Sequence, residues 1–189
     1  DKGYCELYTR WLEMGTFLPM FRSHGTDTPR EIWNFGDKGT MFYDAIEKSI
    51  KLRYHLMPYI YSLAGAVHFN DYTIMRSLLF DFPQDKTARK IENEFMFGPS
   101  LLICAVTEPM YYGPESTELD REKTWECYLP QGADWYDYWT SKKYEGGQYV
   151  TVDAPIDQMP IFVKAGSILP VAEGLVYASQ KPEESVKLM

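Results

Sequence analysis

The chain has 189 residues, a mass of 22.0 kDa and a formal net charge of −8, with 45% hydrophobic and 24% charged residues. This balance predicts a globular chain with room for one large domain or two small ones. The acidic charge would repel a phosphate backbone, and the longest apolar run, residues 101–106, is far shorter than the roughly 20 residues of a membrane span. We therefore expect neither a nucleic-acid partner nor a membrane segment.

The start of the chain and its cysteines limit the function further. The first residues contain no initiator Met, no basic region and no apolar region, so we expect no signal peptide and a start inside a longer or trimmed protein. Cys5, Cys104 and Cys127 show no CxxC spacing, and an odd number of cysteines cannot form a fully paired disulfide set. These features predict no metal site and no cofactor.

The first forty residues predict a helix, a strand and a loop. Apolar residues at helical spacing predict a helix over 4–14 with an apolar face; the residues on this face are Tyr4, Leu7, Tyr8, Trp11 and Leu12. The apolar run 17–21 is typical of a buried strand that ends in a polar loop. Glycines, a proline and polar residues predict that 25–40 is a loop.

The next segment continues this alternation. A helical pattern runs over 42–61, and Pro58 should kink it or start a second helix because proline lacks an N–H group. A strand-like run at 73–82 and a helical composition at 85–94 follow. Alternating helices and strands favour parallel βα units. A complete (β/α)8 barrel takes about 250 residues, so this segment has room only for the last units of one.

The second half of the chain predicts antiparallel β-structure. Short β-rich runs separated by Gly and Pro are typical of a sandwich or small barrel; they are residues 101–107, 124–129, 134–139, 148–152, 160–163 and 167–171. The change in pattern predicts a domain boundary between residues 96 and 101. A further strand-like stretch begins in the last eleven residues, at 185–189.

No short catalytic motif occurs, so the candidate chemistry rests on single residues. His24 follows the predicted strand, at the edge where α/β folds bind ligands. Asp27, Glu31 and Asp81 could supply the paired carboxylates of glycoside hydrolysis. Their alternative roles are structural: Asp27 would cap a turn, Glu31 would pair with an arginine, and Asp81 would anchor a strand end.

The aromatic residues of the second half allow two interpretations. Indole and phenol rings can stack on sugars, and they can equally fill a core. The residues concerned are Trp125, Trp135, Tyr136, Tyr138 and Trp139. Because side chains alternate between the two faces of a strand, much of this set must be buried, and the core interpretation is favoured.

Several stretches together resemble glycoside hydrolase family 31, the retaining α-glucosidases and α-xylosidases. The resemblance includes the Phe-Arg-Ser-His-Gly sequence at 21–25 and extends in the same order over nearly the whole chain. Its stretches are residues 6–11, 17–25, 52–54, 57–61, 75–80, 95–99, 101–103, 128–130, 135–139 and 160–170.

The resemblance implies an α/β plus all-β fold. Residues 1–98 would form the last βα units of the (β/α)8 catalytic barrel, residues 99–178 an antiparallel β-sandwich, and residues 179–189 the start of a truncated distal β-domain. His24 would bind hydroxyl groups of the sugar, and Arg22 would be a structural cation beside it. The two catalytic aspartates of the family would lie upstream of Asp1, so this chain would carry no catalytic residue.

The implied activity is that of a retaining exo-acting α-glycosidase on oligosaccharides, with a glycosyl-aspartyl intermediate. Residues 174–182 resemble the α-xylosidase branch, whose members suit a bacterial periplasmic or extracellular location. Two alternatives stay open: a non-catalytic carbohydrate-binding or structural β-module, and an α-transglycosylase on the same scaffold. An incomplete barrel would also expose a strand edge, which predicts self-association.

Overall fold

The computed structural model describes residues 1–181 and 187–188. Its α-helices are α1 (Lys2–Gly15), α2 (Met41–His55), α3 (Met57–Asn70) and α4 (Leu78–Asp81). Short 3-10 helices occupy Ile32–Phe35, Ala88–Lys90 and Pro114–Ser116. The strands are β1 (Met75–Ser77), β2 (Glu94–Phe97), β3 (Leu101–Cys104), β4 (Thr124–Leu129), β5 (Asp134–Asp137), β6 (Lys143–Glu145), β7 (Gln148–Asp153), β8 (Ile161–Lys164), β9 (Pro170–Val171) and β10 (Lys187–Leu188).

A six-stranded antiparallel sheet forms the centre of the molecule, with strand order β1-β2-β3-β8-β5-β6. A second sheet consists of β4 and β7, which pair over six residues, and β9 pairs with β10. All strand pairs in the described part of the chain are antiparallel. The parallel pairing expected for the first strands is therefore wrong for these residues.

The two faces of the six-stranded sheet contact different layers. Phe95, Phe97 and Ile103 point to the core shared with α3, whereas Met96, Leu102 and Cys104 point to the core beneath β4 and β7. This alternation follows from the two-residue period of a strand. The central sheet thus lies between a helical layer and a second sheet.

The predicted helix break is confirmed. Residue Leu56 separates α2 from α3, and Pro58 lies in the first turn of α3. Proline fits there because the first N–H groups of a helix have no partner within the helix.

The predicted strand over 17–21 is wrong. Phe17 is buried, but Met20 is exposed, and the backbone over 16–20 forms turns. The guanidinium of Arg53 on α2 donates to the carbonyls of Thr16 (2.7 Å), Leu18 (2.6 Å) and Pro19 (3.2 Å). These carbonyls are satisfied by a side chain, so this segment needs no strand partner.

The predicted helix over 85–94 is wrong except for one 3-10 turn. The Asp85 carboxylate accepts the backbone N–H groups of Thr87 and Ala88, and it also accepts the Tyr128 hydroxyl (2.8 Å) and the Gln131 N–H (2.8 Å). An aspartate that bonds nearby backbone donors favours a turn over a long helix. The segment is therefore a loop fastened to β4.

Helix α1 forms as predicted, but it buries its charged face. Glu6 and Arg10 are buried, whereas Leu7 and Trp11 of the predicted apolar face are 54% and 64% exposed. The Glu6 carboxylate accepts three successive backbone N–H groups, those of residues 110–112, at 2.6 to 3.1 Å. Arg10 donates to the carbonyl of Ala154 (2.8 Å). Hydrogen bonds to the β-domain thus hold the charged face of this helix.

The strands of the second half match the sequence well, and β4 has the predicted bounds. The predicted division at residue 98 falls at the turn between β2 and β3 of the central sheet. The predicted distal strand at 185–189 lies mostly outside the described residues, although Lys187–Leu188 pairs with β9. None of the described helices combines the length and apolar character needed to cross a bilayer.

Candidate functional site: a polar and aromatic groove beside helix α1

A groove of about 270 Å³ lies between α1 and the loop that follows it. It combines aromatic rings from the helix with cationic and polar groups from the loop. Its lining residues are Tyr4, Leu7, Tyr8, Trp11, Arg22, Ser23, His24 and Arg30. One wall is therefore apolar and flat, and the other wall offers hydrogen-bond donors.

The aromatic wall is held by ring stacking. Tyr8 stacks on Phe35 with ring centroids 4.1 Å apart and planes 13° apart, and Tyr4 stacks on the same ring at 6.1 Å. Phe35 is buried and belongs to the short 3-10 helix before α2. Because both tyrosines share this support, their hydroxyl groups are fixed at the groove.

Those hydroxyl groups organise the polar wall. The Tyr8 hydroxyl lies 2.8 Å from the Ser23 hydroxyl and donates to the carbonyl of Arg30 (3.0 Å). The Arg30 side chain donates to the Tyr4 hydroxyl (3.1 Å) and to the carbonyl of His24. The hydrogen bond to Tyr4 raises the pKa of Arg30. The loop is therefore tied to the helix at both ends of the groove.

Gly25 is required by the closeness of the loop to Arg30. A Cβ atom at this position would lie 2.7 Å from the Arg30 Nη1 atom and 2.7 Å from the Thr28 carbonyl oxygen. No larger residue fits between them without moving the backbone. The glycine of the Phe-Arg-Ser-His-Gly sequence thus allows His24 to occupy its position.

Arg53 positions the segment that leads into the groove. Its guanidinium is buried, contacts the carbonyls of residues 16, 18 and 19, and lies 5.8 Å from the ring centroid of Phe21. Burial lowers the pKa of Arg53 from its usual value. Three hydrogen bonds from one rigid side chain fix the backbone just before Arg22.

The structure brings two of the predicted residues together at this groove. His24 and Arg22 both line it and are exposed, so both side chains are available to a ligand. The assigned roles of these two residues stay predictions.

The three candidate carboxylates lie elsewhere. Asp27 is exposed in the loop and does not line the groove. Glu31 accepts a hydrogen bond from Asn34 (3.0 Å), not from an arginine as expected, because it begins a 3-10 turn in which Asn34 is the near donor. Asp81 pairs with Arg76 (3.1 Å) beside β1. Within the described residues, the lining of the groove contains no carboxylate.

The aromatic residues of the β-domain are mainly core. Trp135 is fully buried and donates to the carbonyl of Pro130 (3.0 Å), and Trp139 donates to the carbonyl of Met159 (2.8 Å). Tyr136 is 39% exposed. These residues do not form one flat platform for a sugar, so the core interpretation describes them.

Sequence reasoning missed the aromatic wall of the groove. The sequence predicts only that Tyr4, Tyr8 and Trp11 share one helix face and that Arg30 lies in a loop, and it does not predict that they line a common groove. The signal that distinguishes the two faces of α1 is the set of charged residues on the other face, Glu6, Arg10 and Glu13. A helix face that carries such charged residues can also be the buried face when N–H groups of a loop donate hydrogen bonds to its carboxylates.

The fold and the groove together define a class of protein. In this class, the helices of an α/β unit are joined to an antiparallel β-domain, and a ligand-sized groove lies on the helical side. The chain belongs to glycosyl hydrolase family 31. Residues 2–63 match the TIM-barrel domain of these enzymes, and residues 71–169 match their C-terminal domain. These matches confirm the family resemblance and the fold class, a barrel end followed by a β-domain. The first matched region ends at residue 63 and the second begins at residue 71, both before the division predicted at residue 98. That division stays a prediction.

The similar proteins are sugar-processing enzymes by name. The chain is 42% identical over 170 residues to an α-xylosidase of Saccharolobus solfataricus; the aligned part is 90% of this chain and 21% of that protein. It is 35% identical over 181 residues to α-glucosidase 2 of Bacillus thermoamyloliquefaciens; the aligned part is 95% of this chain and 21% of that protein. The crystal structure of an α-xylosidase from Xanthomonas citri superposes with a TM-score of 0.79 at 43% identity, covering 89% of this chain and 17% of that one. The chain therefore spans about a fifth of its relatives.

Proposed function

We propose that the full-length protein containing this chain is a retaining exo-acting α-glycosidase that removes terminal α-xylosyl or α-glucosyl residues from oligosaccharides. The observation that supports this function is the groove beside α1, which lies within the part of the chain matched by the catalytic barrel of the family. The names of the relatives support an α-xylosyl or α-glucosyl substrate.

In this proposal the groove binds sugar and does not break the glycosidic bond. The imidazole of His24 donates and accepts hydrogen bonds, and the Arg22 guanidinium donates them, which suits sugar hydroxyl groups. The exposed ring of Trp11 offers a flat apolar face of the kind that packs on a sugar ring. The nucleophile and the acid/base are then two aspartates that precede Asp1 in the full-length protein, and the reaction passes through a glycosyl-aspartyl intermediate.

The first test compares the isolated chain with the full-length protein on 4-nitrophenyl α-xyloside and α-glucoside. We expect turnover by the full-length protein and none by the chain, with circular dichroism showing that the chain is folded. Turnover by the chain that disappears on Asp27→Asn or Asp81→Asn would overturn the assignment, because the catalytic carboxylates would then lie in these 189 residues.

A second test addresses His24 in the full-length protein. We expect His24→Ala to lower kcat/KM at least about tenfold, which corresponds to about 1.4 kcal/mol of transition-state binding. His68→Ala is the matched control, because His68 is exposed at the end of α3 and does not line the groove. Equal activity of the two variants would remove His24 from the sugar site.

The alternative of a non-catalytic carbohydrate-binding module is distinguished by titration with xylo- and gluco-oligosaccharides. Trp135 is buried and Trp139 is partly buried in the β-domain, which weighs against a stacking platform there. Saturable binding that survives Trp11→Ala and His24→Ala together would favour the module, because the groove could not then be the binding site. Transfer of the sugar to an acceptor other than water would identify the α-transglycosylase alternative.

The isolated chain is also proposed to self-associate, through the strand edge that an incomplete barrel would expose and through an apolar groove on α1. A second, mostly apolar groove of about 550 Å³ runs along α1, where Leu7, Trp11 and Met14 face Val106 and Pro109. Exposed apolar surface of this kind favours association of copies. Light scattering should show oligomers that are reduced by Leu7→Gln with Trp11→Gln, and a monodisperse monomer would contradict the proposal.

A further inference from the structure

Three side chains with metal-binding atoms meet between the two sheets, away from the groove. Glu94 on β2 lies directly opposite Cys104 on β3, and Cys127 reaches them from β4 of the second sheet. One carboxylate oxygen and the two sulfur atoms all lie within 4.8 Å of one another. This cluster cannot be predicted from residue spacing, because its members are far apart in the chain and come together only when the sheets pack.

The cluster is buried and its polar atoms are incompletely satisfied. Both cysteines are fully buried, and Glu94 is 5% exposed. The Glu94 Oε1 atom accepts the backbone N–H of Tyr128 (2.7 Å), whereas the buried Oε2 atom has no hydrogen-bond partner. A buried carboxyl oxygen without a partner costs free energy, so native proteins rarely keep one unless it has a role.

We propose that Glu94, Cys104 and Cys127 bind one zinc ion as a closed structural site that fastens the second sheet to the central sheet. Zinc binds cysteine sulfur at about 2.3 Å and carboxylate oxygen at about 2.0 to 2.2 Å, so tetrahedral donors lie about 3.5 to 3.8 Å apart. Small rotations of the three side chains would bring their donor atoms from separations of up to 4.8 Å to this tetrahedral spacing. The two sulfur atoms and one Glu94 oxygen supply three tetrahedral donors, and the second Glu94 oxygen, which lies closer than tetrahedral spacing, completes the shell as part of a bidentate carboxylate.

The donor set selects the class of metal. Thiolates favour soft or borderline ions such as zinc, whereas magnesium and calcium require shells made of oxygen. The Tyr128 N–H would hold the carboxylate in place from outside, as hydrogen bonds commonly do for metal ligands. The surrounding core, which includes Met96, Leu102 and Phe162, excludes solvent, and this indicates a structural ion. The proposal does not depend on the activity of the enzyme.

The experiment measures zinc and cobalt(II) bound to the 189-residue chain, produced with a tag that contains no histidine. Wild type, Cys127→Ser and Glu94→Gln are refolded with zinc, desalted and analysed by mass spectrometry of the elements. Cys5→Ser is the matched control, because Cys5 lies on α1, outside the cluster. Refolding with cobalt(II) adds an absorption spectrum that reports sulfur ligands directly.

We expect about one equivalent of zinc in wild type and Cys5→Ser, and at least tenfold less in Cys127→Ser and Glu94→Gln. Cobalt(II) should give sulfur charge-transfer bands in the two proteins that bind, and removal of zinc should lower their melting temperature. Zinc below a tenth of an equivalent in folded wild type would overturn the proposal. Equal zinc in Glu94→Gln and wild type, or a disulfide between Cys104 and Cys127 found by alkylation and mass measurement, would overturn it as well.

Discussion

Helix α1 and the β-domain bury different kinds of residue. In the central sheet, apolar side chains alternate between two cores, as Phe95 and Met96 do on β2. In α1 the apolar residues Leu7 and Trp11 are exposed, and the charged residue Glu6 is buried. The difference shows that burial follows the hydrophobic pattern in the sheet, whereas in this helix a charged face is also buried and is held by hydrogen bonds to a neighbouring loop.

The largest expected effect is on the β-domain core. Trp135→Ala removes a fully buried ring and its hydrogen bond to Pro130, and should lower the free energy of unfolding by about 3 to 5 kcal/mol. Tyr136→Ala, the next residue on β5, should cost about 1 kcal/mol or less because Tyr136 is partly exposed. Denaturant unfolding measures both, and similar losses would show that packing in β5 does not follow the alternation.

The second-largest expected effect on stability is at Glu6, whose hydrogen bonds hold α1 to the loop at 110–112. Glu6→Gln replaces one accepting oxygen by an amide nitrogen that faces the N–H groups of residues 110–112. We expect a loss of about 2 to 3 kcal/mol in unfolding experiments, because hydrogen bonds to a charged group are strong and a buried donor loses its partner. Glu126→Gln, an exposed position on β4, is the control. A loss no greater than that of the control would mean that apolar contacts alone orient α1.

The pH dependence of stability tests the same buried face. Burial outweighs the attraction of Arg10, which is 3.0 Å away, and raises the pKa of Glu13 from 4.5 to about 8. Between these values the folded chain holds a proton that the unfolded chain releases, so stability falls as pH rises. Between pH 6 and 7 the expected loss is about 1 kcal/mol. Glu13→Gln should remove this part of the slope, and an unchanged slope would place the titration elsewhere.

The smallest effect on stability is expected at the groove. His24→Ala should change the free energy of unfolding by no more than about 0.5 kcal/mol, because the side chain is exposed. Thermal unfolding of the variant beside His68→Ala measures this. A larger loss would show that the imidazole holds the loop in place, and the activity test of His24 would then need a conservative variant such as His24→Asn.

The sequence predicted the β-domain more accurately than the helical layer for a physical reason. Strands β4 and β7 are bounded by turn residues and follow a two-residue period, so local pattern and tertiary packing agree. The predictions of a strand at 17–21 and of a helix at 85–94 were wrong. In each case one polar side chain, Arg53 or Asp85, forms hydrogen bonds with backbone groups of a distant part of the chain. Such contacts between distant residues leave no periodic signal.

Part of the lining of the groove was predicted, and the roles of its residues stay predictions. His24 and Arg22 lie in the groove, and the expectation came from the family resemblance and from the position of His24 after an apolar run. The aromatic wall of the groove was missed because an apolar helix stripe is normally read as core. The Glu94 cluster was missed because its three residues share no spacing.

Helix α1 contacts two different parts of the molecule with its two faces. Tyr8 and Trp11 form the groove wall on one side, while Glu6 on the other side accepts hydrogen bonds from backbone more than a hundred residues away. The position of the groove wall is therefore linked to the loop at 110–112 of the β-domain. Under the proposed function, exchange of this domain between relatives should change the KM for the sugar substrate without altering any groove residue.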